Sequence, residues 1–325
     1  MGCTNNYNYK IPVTYPKIAL GTWSWGDVAS GDNIVYGARV NKVMADEIFE
    51  RAMEKNIFLW DTALIYGEGT AERVLAPLLK NYSRDDYLVS TKFSPELMKS
   101  YASMEEMCDE SLNSLNLKEI DIYYIDNPKD NFIYAKQISE LVIKKKIKKI
   151  GVSNHNLREV KFVDSFLRKT NMRVSHVQNH FSLLNRSSEQ SGLLAYCEKH
   201  NIKFFSYLVL EQGALTGKYH KNKLMPEKTE RAQFYNKEFF TKIEPLLLCL
   251  RGMAEKYNCS MTTINIAYAI QKGTIPVLGC THVQQIEDYT KAYDIILSEE
   301  DIEKLEEKAD SCQIISVRSW EKIMQ

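Results

Sequence analysis

Three side chains stand where together they could move a proton. Asp61 follows the apolar run Ile57–Trp60, Tyr66 lies in the loop just beyond it, and Lys92 follows the run Tyr87–Thr91. A phenol titrates at about pH 10 in water and is a poor acid at neutrality. A neighbouring ammonium stabilises the phenolate and lowers that value, and a carboxylate paired with the ammonium holds it in place. Such a tyrosine can give a proton to an oxygen that gains negative charge as hydride arrives at the adjacent carbon. The plainer alternative is a structural ion pair with a tyrosine nearby. A fourth ionisable group, Asp126, closes the run Ile120–Ile125, and Asn127-Pro128 stops that run. A charge at the mouth of a buried strand is costly unless something uses it.

The elements that must position these residues alternate. Strand-like runs fall at Lys17–Leu20, Ile57–Trp60, Tyr87–Thr91, Ile120–Ile125, Ile147–Val152, Val174–Gln178, Ile202–Ser206 and Thr274–Leu278. Helical patterns begin near Asn41, Thr70, Met104, Tyr134, Leu157, Ser188, Thr262 and Val283; Ala45, Ile48, Phe49, Ala52 and Met53 show the spacing. Eight β-then-α units predict an α/β fold, a single (β/α)8 TIM barrel with helices outside. No linker-like stretch divides the chain, so residues 1–325 are expected to form one domain, with 1–16 as a lead-in. Glu211–Tyr235 reads as a long, polar, basic loop over one end, followed by an extra helix at Glu238–Tyr257. Ser298-Glu299-Glu300-Asp301 resembles a capping box that opens another helix. The tail, residues 311–325, carries Ile314, Ile315, Val317, Trp320 and Ile323, and is expected to pack on the barrel.

In such a barrel the site lies at the C-terminal ends of the strands. Read in order, those ends are Gly21-Thr22-Trp23, Asp61, Lys92, Asp126, Ser153-Asn154, Gln178-Asn179, Ser206 and Gly279. Each alone reads as a loop residue or a cap. Together they describe a polar ring above an apolar barrel.

Composition excludes other classes. The formal net charge is zero, which argues against nucleic-acid binding. The basic run Lys144-Lys145-Lys146 reads as the solvated end of a helix. No stretch approaches the roughly 18 to 20 apolar residues that span a bilayer, and the first residues lack signal-peptide features. The seven cysteines show no CxxC or metal-ligand spacing, which predicts reduced thiols in the cytoplasm. The histidines form no HxxxH or HExxH pattern, so no metal is expected.

The motifs carry a resemblance. "WDTALIYGEGTAERVLAPLL" resembles the aldo-keto reductase pattern DTAxxYGxGxxExxL, and "LVSTKF" resembles the family's strand ending in Thr-Lys. "IALGTWSWG", "IKKIGVSNHNLREV", "VQNHFSLLNR", "FFSYLVLEQGALTGKY" and "IPVLGCTHVQQIEDY" resemble its other motifs, in order, from about Lys17 to Tyr293. The resemblance implies a barrel that binds NAD(P)H and reduces carbonyls, with NADP(H) favoured and NAD(H) an alternative. It implies Tyr66 as general acid, tuned by Lys92 and Asp61. Ser153, Asn154 and Gln178 match residues that hold the nicotinamide carboxamide, and Phe205 matches the aromatic that stacks on its ring. Ser206, Leu208, Gly213, Leu215, Gly217 and Lys218 match the segment around the pyrophosphate. Thr22 and Trp23 match residues near the nicotinamide and substrate, and Gly279, Thr281, His282, Gln285 and Asp288 match the last cofactor motif.

Two departures stand out. The family commonly has Ile-His-x-Pro at the end of the fourth strand; here Ile125-Asp126-Asn127-Pro128 puts Asp126 in the histidine's place. The NADP-preferring pattern also often has Lys or Arg soon after the glycine matched by Gly279, and His282 offers a 2′-phosphate less than either would. A protonated Asp126 could orient a substrate oxygen beside Tyr66, and a family branch with Glu here reduces conjugated C=C bonds. An ionised Asp126 would instead suit a cationic or polyhydroxylated substrate, or pair with Lys92. The expected partner is a small carbonyl or enone. The competing reading is a nucleotide-binding sensor or regulatory subunit, as in the β subunits of voltage-gated potassium channels, which lack the histidine. Substrate choice is expected to lie in Trp25 with Ser30–Arg39, in Phe93–Tyr101, and around Trp320.

Overall fold

A computed structural model describes residues 14–26, 40–318, 320, 321 and 324. Most of the lead-in, the Ser30–Arg39 stretch and Ile323 lie outside the described residues. Eight strands form a closed barrel in sequence order. They are β1 (Ala19–Gly21), β2 (Leu59–Asp61), β3 (Leu88–Phe93), β4 (Ile120–Asp126), β5 (Ile147–Ser153), β6 (Val174–His180), β7 (Lys203–Tyr207) and β8 (Ile275–Gly279). Every neighbouring pair is parallel, and β1 closes the ring by pairing with β8 as well as β2.

The helices most relevant here are α1 (Lys42–Glu54), α2 (Thr70–Leu79), α3 (Met104–Leu115), α4 (Asn131–Ile143), α5 (Leu157–Arg168), α6 (Leu193–Lys199), α7 (Glu244–Lys256), α8 (Met261–Gln271), α9 (Gln285–Lys291) and α10 (Glu299–Ser311). Short polar side chains start many of them: Asn41, Ser103, Asp130, Asn156, Ser260 and Ser298 each accept a backbone N–H of the first turn. The expected helix at Glu238–Tyr257 is two, Lys237–Lys242 and α7, broken at Ile243. Pro245 lacks a backbone donor and so belongs in the first turn of a new helix.

Side-chain alternation sets up the site. In β4, Ile122 and Tyr124 fill the barrel interior with Ala19, Leu59 and Phe205. Tyr123 and Ile125 face the helices instead. Burying each of these large apolar side chains contributes about 1.5–3 kcal/mol. The interior is tight enough to require Gly151: a methyl there would enter the Tyr124 ring. Asp126 continues the inward phase of Ile122 and Tyr124 and caps the stack at the barrel mouth.

The observed strands run one or two residues further than the apolar runs suggested, through Asp61, Phe93, Asp126, Ser153, His180, Tyr207 and Gly279. The backbone keeps pairing while the inward positions change from apolar to polar. Most of the mouth ring is therefore part of the sheet, which fixes its side chains more rigidly, while Thr22, Trp23 and Asn154 follow strand ends.

Candidate active site

At the mouth, Asp61, Lys92 and Tyr66 meet. Lys92 Nζ donates to Asp61 Oδ2 at 2.7 Å and to the Thr62 carbonyl at 2.9 Å, and lies 3.4 Å from the Tyr66 hydroxyl. Asp61 Oδ1 accepts from Ser90 Oγ at 2.7 Å and from Gln178 Nε2 at 2.9 Å, so three donors fix the carboxylate. Tyr66 is held by a knot of turns between β2 and α2: its N–H donates to Ala63 and its carbonyl accepts from Ala71. Trp23 stacks on the Tyr66 ring at 5.8 Å, and Trp320 from the tail meets Trp23 edge-on at 5.7 Å.

The electrostatics reverse one expectation. Burial pushes the Tyr66 phenol up to about 12; Lys92 opposes this, while Asp61 and Asp126 add to it. The dry mouth and two carboxylates outweigh the one ammonium. Tyr66 is therefore a hydroxyl throughout the physiological range, in the form that can donate a proton. Burial opposes the charge on Lys92, but Asp61, Tyr66 and Asp126 raise its pKa overall, so it remains an ammonium. The Asp126 carboxyl also lies above its ordinary value, chiefly through burial. Glu96 adds to that rise, while Lys92 and hydrogen bonds from Ser153 and Asn154 oppose it.

Asn154 sits at the end of β5 with a left-handed backbone (φ 60°), its N–H donating to the Gln178 carbonyl at 3.1 Å. One end of its amide lies 3.0 Å from Asp126 Oδ1 and the other 2.5 Å from the Tyr207 hydroxyl. Tyr207 in turn lies 2.8 Å from Glu321 Oε1 of the tail. There a second buried charge cluster begins. His180 bridges Glu321 at 3.0 Å and Glu211 at 2.9 Å, and Arg318, Tyr235, Ser182 and Ser316 also converge on Glu211. Burial lowers the His180 pKa, but the two carboxylates win and raise it to about 9, so it is an imidazolium at neutrality.

A cavity of about 970 Å³ opens over this mouth. On the β1–β4 side it is lined by Trp23, Asp61, Tyr66, Lys92 and Asp126, with Ser153, Asn154 and Gln178 next to them. Towards β7 and β8 it reaches Leu208, Gly213, Gly217, Lys218, Gly279, Thr281, His282, Gln285 and Asp288. Gln285 shapes that end by accepting the N–H groups of Thr281 and His282 at 2.8 and 3.0 Å. Gly217 is required where it is: its φ is 78°, and a Cβ would stand 2.5 Å from Met261 Sδ.

Four expected residues do not reach the cavity. Phe205 is fully buried inside the barrel, one layer below the mouth. Ser206 is on the outward phase of β7 and bonds Thr274 Oγ1 at 2.8 Å. Leu215 belongs to the core between barrel and helices. Thr22 is buried and ties β1 to β2 through the Asp61 carbonyl. The ring of β7 that does line the cavity is Tyr207, two residues after Phe205 on the same face. The period-2 phase running from an interior aromatic to the mouth is the signal that marks it. Arg231, Ser260 and Thr262 also line the cavity. They come from segments with no strand end to point at them.

The substrate-loop expectations divide similarly. Trp320 lines the cavity. Trp25 is buried and donates to the Cys280 carbonyl at 2.9 Å, a packing role. From Phe93–Tyr101, Glu96 reaches the cavity, while Phe93 lies in the core. Nor is Glu211–Tyr235 simply an exposed loop: Glu211 and Tyr235 are fully buried and bonded to each other at 2.8 Å. Among the described residues no helix is long and apolar enough to cross a membrane, and no group of His, Cys, Asp and Glu is placed to hold a metal ion.

Comparison with known proteins agrees with this architecture. The model of the aldo/keto reductase family matches residues 17–310. The chain is 28% identical over 297 residues to the chloroplastic pyridoxal reductase of Arabidopsis thaliana, covering 85% of this chain and 78% of that one. It is 26% identical over 334 residues to the NADH-specific methylglyoxal reductase of Escherichia coli, covering 94% and 99%. An aldo-keto reductase from Klebsiella pneumoniae, solved in complex with NADPH, superposes with a TM-score of 0.68 at 20% identity, covering 90% of each chain.

Proposed function

The chain belongs to the aldo/keto reductase family, a family of oxidoreductases, and on that premise we propose that it uses NAD(P)H to reduce the carbonyl group of a small aldehyde or ketone, with Tyr66 as proton donor. The observation that carries this is the Tyr66 hydroxyl at the cavity mouth, 3.4 Å from an ammonium that is itself locked 2.7 Å from Asp61. NAD(P)H, when bound, would supply the hydride. As charge develops on the substrate oxygen, Tyr66 gives up its proton, and Lys92 stabilises the phenolate left behind. Asp61 keeps Lys92 from swinging away, braced by Ser90 and Gln178.

The cavity suits a dinucleotide. Lys218, Arg231, Ser260 and Thr262 supply cations and hydroxyls for phosphates. Gly217 lines the same segment, its left-handed backbone packed against Met261. Asn154 and Gln178 would hold a carboxamide, and Tyr207, rather than Phe205, offers the ring against which a nicotinamide would stack. NADP(H) is the favoured carrier. NAD(H) is the alternative, because His282 stands near where a Lys or Arg is usual and one relative is NADH-specific. The relatives named for pyridoxal and methylglyoxal point to aldehydes.

Reduction of a C=C bond conjugated to a carbonyl is the second reading. It is favoured by the place of Asp126, a carboxyl at the cavity mouth where histidine is usual and one that burial shifts towards its neutral form. Purified protein mixed with NADPH or NADH and a panel of aldehydes, ketones and enones tests both, through nicotinamide absorbance. Turnover on aldehydes supports the first reading and turnover confined to enones the second. Tight nucleotide binding without turnover on any class would leave a nucleotide sensor.

A further inference from the structure

We infer that the β3–β4 end of the cavity selects carbonyl compounds that carry a positive charge over those that carry a negative one, with Glu96 as the specificity-determining residue. Charge is divided along the cavity. Lys218 and Arg231, from the segment after β7, line the side where a nucleotide's phosphates would be met. At the opposite end the lining cation, among the described residues, is Lys92. Its ammonium is committed to Asp61 at 2.7 Å and to the Thr62 carbonyl at 2.9 Å, so that pair cancels. Two carboxyl groups remain there, Glu96 and Asp126, and both line the cavity.

Glu96 sits in the turn Pro95–Lys99, just after β3. Its Oε1 accepts from Asn127 Nδ2 at 3.2 Å and stands 3.9 Å from Lys129 Nζ. Neither contact takes up Oε2. Asn127 is itself fixed at the end of β4, with a left-handed backbone (φ 62°) and its N–H donating to the Ser153 carbonyl at 3.1 Å. The end of the sheet thereby holds the Glu96 carboxylate in place. Lys129 works against a free negative charge here, but its side chain is 62% exposed and it stands at the limit of ion-pair distance, where water and salt screen it. Asp126 accepts from Asn154 Nδ2 at 3.0 Å and from Ser153. A carboxyl group offers more acceptor sites than those two bonds use, so it can also accept from a substrate N–H or O–H.

The walls agree with the charge. Trp23 stacks on Tyr66 at 5.8 Å and Trp320 meets Trp23 edge-on at 5.7 Å, and all three line the cavity. Aromatic faces attract cations, quaternary ammonium ions among them. A carboxylate would meet the same faces and the same two carboxyl groups with the wrong sign. The substrate class is therefore a small aldehyde or ketone bearing an ammonium group, which rests on the carbonyl reduction proposed above.

Turnover with NADPH or NADH is compared for trimethylammonioacetaldehyde, for its neutral isostere with carbon in place of nitrogen, and for succinic semialdehyde, which carries a carboxylate. In Glu96→Gln the kcat/KM ratio of the cation to its neutral isostere is expected to fall about fivefold, and the ratio of the carboxylate to the neutral isostere to rise. The wild-type preference for the cation should also shrink as salt is raised, a reading that decides if the variant does not fold. Choline and its neutral isostere cannot accept hydride and give a separate reading in the ligand-free protein, through the change in tryptophan fluorescence. Choline is expected to bind more tightly than its isostere, and to lose that advantage in Glu96→Gln. If no aldehyde is reduced, the reaction proposed above fails, and the choline pair still decides the charge preference. The inference is overturned if Glu96→Gln leaves the turnover ratios, or in the absence of turnover the binding ratio, as in wild type.

Discussion

The mouth of this barrel holds two buried charge clusters of opposite legibility. In the first, Asp61 and Lys92 come from adjacent strands and Tyr66 from the loop that follows β2. In the second, His180 comes from β6, Glu211 from the turn after β7, and Arg318 and Glu321 from the tail more than 100 residues later. Both neutralise cations with carboxylates out of water. The first opens onto the cavity. The second is sealed: His180, Glu211 and Glu321 have side chains at most 2% exposed. An open cluster can act on a ligand, whereas a sealed one can only position what touches it. Tyr207 joins the two, through Asn154 to Asp126 and directly to Glu321.

Breaking the first cluster should cost most. Asp61→Ala leaves the Lys92 ammonium buried without its carboxylate, and a loss of about 3–5 kcal/mol in denaturant unfolding is expected. The second cluster should show itself through pH. The His180 pKa rises from 6.5 to about 9 on folding. Its contribution is therefore full below 6.5 and is lost as pH rises through about 9, at most about 3 kcal/mol. Melting curves from neutral pH to above that value should show the decline, and His180→Gln should lose that part of the slope.

Glu211→Gln is expected to cost about 2 kcal/mol, because the amide keeps the volume but weakens the charged hydrogen bonds. It should also free the tail, read as faster proteolysis within residues 312–325. The smallest effect is expected at the rim. Trp320→Ala removes the edge contact on Trp23, worth about 1 kcal/mol, and should raise KM severalfold with little change in kcat.

The same contrast explains what the sequence shows and hides. The barrel is legible because its strands are continuous apolar runs spaced by helical patterns, and Asp61, Tyr66 and Lys92 are legible because each sits at or just after a strand end. Phe205 was expected at the nicotinamide on motif alignment, but the period of two along β7 carries Tyr207, not Phe205, to the mouth. The lowered phenol expected for Tyr66 failed because sequence spacing shows the ammonium but not the burial around it. The His180 cluster was hidden because its partners are far apart in the chain and none belongs to a local pattern. A buried glutamate at the head of a basic loop, such as Glu211, declares itself only when its cations are seen.

The central claim is that Tyr66 supplies the proton at a nucleotide-dependent reducing site, and Tyr66→Phe tests it most directly. Carbonyl-dependent oxidation of NADPH or NADH should fall by about 100- to 10,000-fold, while nucleotide binding, followed by protein fluorescence, stays as in wild type. Retained turnover in that variant, with binding intact, would contradict the claim and remove Tyr66 from the chemistry.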